Sequence, residues 1–170
     1  MTTLPQTKTP AAGWLLGSTL ALLVCAGARP LAAQTMIGEL QCIVVDGKAA
    51  EHERHAAGVL SRTLKRMGGP ALAVTNVPAK GASRMIVVGR AAVDAGLIGE
   101  AELAAVKPDG FVLKAKDGVI ALAGPRPRGS IYGAYALLER LGYRWFTHGV
   151  ERLPQPPPAV LEDVTLSEKP

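Results

Sequence analysis

GPRPRGSIYGAYALLERLGYRWF, residues 124–146, decides how the rest of this chain is read. The spacing predicts a loop, a helix and then a strand. Ile131, Ala134, Tyr135, Leu138 and Leu141 recur at helical intervals and form an apolar stripe expected to pack on a sheet. Gly142 stands just past the last stripe residue, where a left-handed cap favours glycine. Ser130 and Gly129 lie at the helix start, where backbone N–H groups lack partners. A second stripe consists of small residues, Gly129, Gly133 and Ala136. Glycine inside a helix costs about 1 kcal/mol relative to alanine. Two glycines here therefore predict close approach by another element, with Gly129, Tyr132, Gly133 and Ala136 as the candidate domain-docking residues.

Working outward, 111–116 and 119–123 are strand-like runs flanking Lys116-Asp117-Gly118, and Asp-Gly is a strong hairpin signal. Upstream, 39–46 reads as a strand and 49–67 as an amphipathic helix. Ala56, Val59, Leu60, Thr63, Leu64 and Met67 share one face of that helix, and Arg54, Arg62, Lys65 and Arg66 the other. Residues 71–75 and 85–88 are short β-type runs, and 91–106 holds one or two short helical pieces around Gly96 and Gly99. After a final strand at 143–146, Pro154 and Pro156-Pro157-Pro158 predict a stiff linker. Residues 160–166 read as one more edge strand or a tail. Together these give an α/β (α+β) fold, a mixed, largely antiparallel sheet with two main helices on one face. The expected divisions are a leader at 1–33, a domain at 34–150, and a Pro-rich linker and C-terminal tail at 151–170.

The leader reading rests on charge and hydropathy. Lys8 is the only charge before Arg29, and residues 14–28 are apolar. Small residues follow, the order of a secretory signal. The apolar run is shorter than the ~20 residues of a membrane span, so no stable span is expected after cleavage, and an uncleaved anchor is the alternative. Cleavage after Ala33 is favoured over Ala28, because it avoids Pro30 just beyond the cut. Val24 argues against lipidation of Cys25. The expected location is periplasmic or extracellular.

Composition excludes some function classes. From Gln34 on, 17 Lys+Arg face 14 Asp+Glu, too small and too interleaved an excess for nucleic acid. Cys42, the one cysteine of that part, lies among Ile43, Val44 and Val45 and reads as a buried strand thiol. Residues 124–130 have the glycine spacing of a phosphate loop, but its lysine is missing and two prolines remove donors. Arg126 and Arg128 beside a helix N-terminus are weak candidates for holding an anion such as a uronic carboxylate. His52 and His55 stand at i and i+3 rather than the i and i+4 of a zinc helix, and His148 is remote, so no metal and no cofactor are expected. Glu51 and His55 suit a surface pair. Asp109, Asp117 and Glu139 occupy turns or an ordinary helix face, not the paired arrangement of a glycosidase.

The run Arg128-Gly129-Ser130-Ile131-Tyr132-Gly133-Ala134-Tyr135-Ala136-Leu137-Leu138-Glu139, with Asp109-Gly110-Phe111-Val112-Leu113 and Val119-Ile120-Ala121-Leu122-Ala123-Gly124 before it, resembles a glycosidase accessory domain. That domain precedes the catalytic barrel in α-glucuronidases and in bacterial and animal β-hexosaminidases. The similarity covers residues 41–146. It implies a non-catalytic N-terminal domain of a secreted carbohydrate-active enzyme, with two parallel helices between sheet and barrel. The implied partner is a catalytic barrel, in cis or from a neighbouring chain, and polysaccharide is the other partner considered. In those families the catalytic carboxylates lie in the barrel, so none carries over to this chain. The alternatives are a free-standing exported module binding polysaccharide or protein, and a secreted metal-dependent hydrolase, which the histidine spacing disfavours.

Overall fold

A computed structural model describes residues 34–78, 80–147 and 150–168. Its centre is a six-stranded sheet in the order β10-β5-β6-β4-β2-β3. These strands are Cys42–Val45 (β2), Ala73–Thr75 (β3), Met85–Val88 (β4), Phe111–Lys116 (β5), Val119–Ala123 (β6) and Val164–Glu168 (β10). The ladders β2–β3, β2–β4 and β4–β6 are parallel, whereas β5–β6 and β10–β5 are antiparallel. Two further antiparallel pairs join Gln34–Met36 (β1) to Val160–Glu162 (β9) and Arg144–Thr147 (β7) to Val150–Arg152 (β8). The expected mixed sheet is therefore present.

Helices cover both faces. Glu51–Arg66 (α1) and Gly129–Arg140 (α4) lie on one side, and the short Arg90–Asp94 (α2) and Glu100–Ala104 (α3) on the other. Period-two alternation sorts the strand residues between two cores. Ile43, Val45, Ile86, Val88, Leu113 and Leu122 join Leu60, Leu64, Leu137 and Leu138 under α1 and α4. Cys42, Val44, Val87, Val112 and Ala121 join Ala92, Ile98 and Leu103 under α2 and α3. Covered on both faces, β2 and β4 are continuous apolar runs without polar alternation.

The hairpin β5–β6 turns at Asp117 and Gly118, with φ of 51° and 85°. Two successive positive φ values are what a type I′ hairpin turn requires and why Asp-Gly fits it. Helix α4 stops at Gly142, φ 88°, with Tyr143 N–H returning to the Leu138 carbonyl. Within 151–170, only the proline-containing stretch behaves as a connector. Its flanks are tied in: β8 pairs with β7, β9 with β1, and β10 forms the sheet edge beside β5. Proline removes ladder donors locally and says nothing of the residues beyond it. The leader residues 1–33 lie outside the described residues.

Candidate functional site

Three parts of the motif meet at one point, and the contact is backbone against backbone. A Cβ on Gly129 would lie 2.2 Å from the Gly110 carbonyl oxygen and 2.8 Å from Gly124 Cα. A Cβ on Gly124 would lie 2.6 Å from Gly129 Cα. One on Gly110 would lie 2.5 Å from the Glu168 carbonyl oxygen. The start of α4 is thus pressed onto the loop before β5 and the end of β6. Further along, Gly133 faces the sheet, where an added Cβ would sit 3.4 Å from Leu122 Cβ and 3.5 Å from a Phe111 ring carbon.

This corrects part of the expected roles of the two stripes: Ala134, Leu138 and Leu141 are buried in the core and Ala136 is half-exposed, as expected, but the two glycines face inward. Gly129 and Gly133 are buried against the sheet and are not docking residues. Ile131 and Tyr135, expected on the sheet, are half-buried, whereas Leu138 is buried as expected. Both stripes are compatible with a helical period; what selects the small one is that the main chain of α4 must approach β5 and β6 closely. The outward side of α4 therefore keeps Ile131, Tyr132, Tyr135 and Ala136 half-exposed, packed at the margin of the core with Val59 of α1.

The β7–β8 hairpin extends this surface. Trp145 meets Tyr135 edge-on, with ring centroids 4.9 Å apart, and Tyr143 at 4.1 Å. Trp145 is 41%, Phe146 67% and Val150 51% exposed. Glu151 anchors the hairpin by accepting from the Tyr143 hydroxyl and the Arg66 guanidinium. The Arg66 hydrogen bond, then that of Tyr143, holds the Glu151 carboxyl below its ordinary value. Burial, then the bond to Glu151, pushes the Tyr143 hydroxyl up. Arg126 and Arg128 are exposed on the loop entering α4; Arg128 lies 5.8 Å from the Tyr132 ring centroid, a cation–π distance.

A crevice of about 480 Å³ opens at the carboxyl ends of β2, β4 and β6, where chain from β2 leaves into α1 on one face and chain from β4 into α2 on the other. Lys48, Glu53, Arg90, Glu100 and Leu103 line it. Glu53, only 7% exposed, spans the gap: Oε2 accepts from Ala50 N–H at 3.0 Å and Oε1 from Arg90 N–H at 2.9 Å. Both donors are at helix starts, where a carboxylate is favoured. Gly89, φ 68°, passes so close that a Cβ there would lie 2.1 Å from Glu53 Oε1. The sequence reading missed Glu53; the available signal was a glutamate in the first turn of a helix, where it can reach back to a free amide. Its chemistry is that of a tie between two loops.

The carboxylates singled out from the sequence, Asp109, Asp117 and Glu139, are not brought together as a catalytic pair. Asp109 precedes β5 and Asp117 follows it, so six residues of strand separate them. At ~3.4 Å per residue that is about 20 Å, well beyond the ~5–10 Å of paired glycosidase carboxylates. Glu139 is exposed on α4. His52 and His55 are exposed on α1, and His148 lies outside the described residues. Among the described residues, no group of three or more His, Cys, Asp or Glu is placed to hold a metal ion. No described helix is long and apolar enough to cross a membrane.

Comparison with known proteins places these features. The sequence family described as "Glycosyl hydrolase family 67 N-terminus" matches residues 31–137. Among solved structures, the family 20 β-N-acetylhexosaminidase of Streptomyces coelicolor A3(2) is similar at a TM-score of 0.55 and 19% identity, over 82% of this chain and 24% of that one. A β-hexosaminidase of Streptomyces plicatus is similar at 0.53 and 18%, with the same coverages. At these identities the likeness is one of fold, and this chain spans about a quarter of each enzyme. No curated protein sequence matches the chain significantly.

Proposed function

Because this chain belongs to the glycosyl hydrolase family 67 N-terminal family, we propose that it is a non-catalytic accessory domain of an exported carbohydrate-active enzyme, and that it packs on a catalytic barrel through its α1–α4 layer. The family match, from before β1 to within α4, is the observation that carries this reading. Two features support it. The outward side of α4 and the adjoining hairpin offer Ile131, Tyr132, Tyr135, Trp145 and Phe146 as incompletely covered apolar surface. Asp109 and Asp117, two of the carboxylates considered from the sequence, lie at opposite ends of β5, too far apart to form the pair that glycoside hydrolysis uses. Export rests on the charge-poor apolar run at 14–28.

The experiment is an activity assay in two arms. The chain alone is expected to leave aryl glucuronides and aryl N-acetylglucosaminides intact. Co-produced with a family 67-type catalytic domain supplied as a separate polypeptide, it is expected to co-purify and to raise that polypeptide's thermal stability. Hydrolysis by the chain alone, abolished by one Asp or Glu substitution within it, would overturn the reading.

A further inference from the structure

Basic residues are distributed unevenly over this fold, in number and in kind. Residues 51–66 and 126–152 build α1, α4 with its entry loop, and the β7–β8 hairpin; they contain nine Lys/Arg against four Asp/Glu. One of those four acids, Glu53, is buried. The rest of the chain from Gln34 on contains eight Lys/Arg against ten Asp/Glu. Eight of the nine in the helix layer are arginine, whereas only two of the other eight are. Arg62, Lys65, Arg66, Arg128, Arg140 and Arg144 are all exposed. Of their acidic neighbours, Glu151 is held by Arg66 and Tyr143, leaving Glu51, Glu139 and, in the crevice with Arg140 and Arg144, Glu168 of β10.

A solvated helix face ordinarily interleaves lysine with glutamate. Surface enriched in Arg, Tyr and Trp and poor in Lys and acid is the composition of a protein–protein contact. Arginine suits that place because its planar fork pairs carboxylates bidentately and is weakly hydrated. The apolar centre of the face, Val59, Ile131, Tyr132 and Tyr135 beside Trp145, is of the kind that becomes dry on association. An isologous pair of copies would set this basic rim against itself, which disfavours self-association through it.

We infer that the α1–α4 layer is a basic-rimmed docking face whose partner is an acid-rimmed apolar surface on a glycosidase catalytic domain. The inference rests on the accessory-domain reading above and adds the chemistry of the partner. Charge complementarity of this kind speeds association and fixes register, and it weakens as salt shortens the screening length from about 10 Å at 0.1 M to about 3 Å at 1 M.

The test titrates this chain with a family 67-type catalytic domain supplied as a separate polypeptide. Kd is expected to weaken at least ~10-fold between 0.05 and 0.5 M NaCl. The double variant Arg62→Glu, Lys65→Glu is expected to weaken it by a similar factor, chiefly through slower association. Lys116→Glu, on the exposed end of β5, is expected to leave it unchanged. These residues are exposed, so circular dichroism should report an intact fold in each variant. A Kd flat within about twofold across that salt range, unaffected by the double reversal yet abolished by Tyr135→Ala, would overturn the acidic partner while leaving docking in place. Absence of binding to the catalytic domain, with retention on a glucuronic-acid-bearing xylan instead, would overturn both. A concentration-dependent dimer lost in the double variant would also overturn the inference.

Discussion

Gly129→Ala probes the junction on which the fold turns. The new methyl carbon would stand 2.2 Å from the Gly110 carbonyl oxygen and 2.8 Å from Gly124 Cα. Both obstacles are main chain, so no side chain can swing aside. Restoring ordinary contact requires the start of α4 to move by about 1 Å, and overpacking of that order costs ~1–3 kcal/mol. Alanine's helix propensity returns at most ~1 kcal/mol, and less here because Gly129 is the first residue of α4. The expected net loss is about 2 kcal/mol, which for a domain of this length lowers Tm by roughly 8 °C. Thermal and urea unfolding followed by circular dichroism would measure it. Gly38→Ala is the matched control, since a Cβ there meets nothing within 4 Å; it should stay within about 0.5 kcal/mol of the parent. A Gly129→Ala protein as stable as Gly38→Ala would refute the convergence of the three glycines.

Other outcomes follow from the same contacts. Gly133→Leu should cost ~1–3 kcal/mol by overpacking Leu122 and Phe111, while Gly133→Ala, at ordinary contact distance, should be neutral to stabilising by up to ~1 kcal/mol from helix propensity; equal stabilities would contradict the packing. Glu53→Ala strands the Ala50 and Arg90 amides and should lose about 2 kcal/mol in urea unfolding, a loss that a solvated glutamate would not show. Glu102 is held below the ordinary carboxylate value by its bond from Lys114 and then from the Gly99 amide, and Glu151 by its bond from Arg66 and then from Tyr143. A depressed folded pKa gives stability that is present above the unfolded value of ~4.3 and is lost as pH falls through the folded value. The acid limb of the stability curve should therefore flatten in a Glu102→Gln, Glu151→Gln variant, and an unchanged limb would discount both pairs. Mass spectrometry of protein recovered outside the cytoplasm should find Met1 removed and a new N-terminus near Gln34; an intact Met1 would count against export.

The sequence was most informative where one physical requirement dominates. Asp117-Gly118 needs two positive φ values and marked its hairpin to the residue, and the all-apolar run 85–88 read as a β-type run, which the structure covers on both faces. The helix at 124–146 was also plain from its period. Which of its faces turns inward was not, because Gly133 and Tyr135 both lie on periodic stripes and only the approach of Gly110 and Leu122, distant in sequence, separates them. The strand β10 was only half legible, 160–166 being read as an edge strand or a tail, for a related reason: its pairing partner, β5, lies some fifty residues back, and the prolines before it look like the start of a linker. Glu53 escaped notice because burial of a carboxylate depends on the Gly89 loop brought to it by the sheet.

The most direct test of the docking claim is hydrogen–deuterium exchange of this chain, free and in complex with the catalytic polypeptide. The account predicts new protection in peptides spanning 131–136 and 144–152, with exchange at 90–104 unchanged. Protection confined to 90–104, with the α4 and hairpin peptides exchanging as in the free chain, would contradict it.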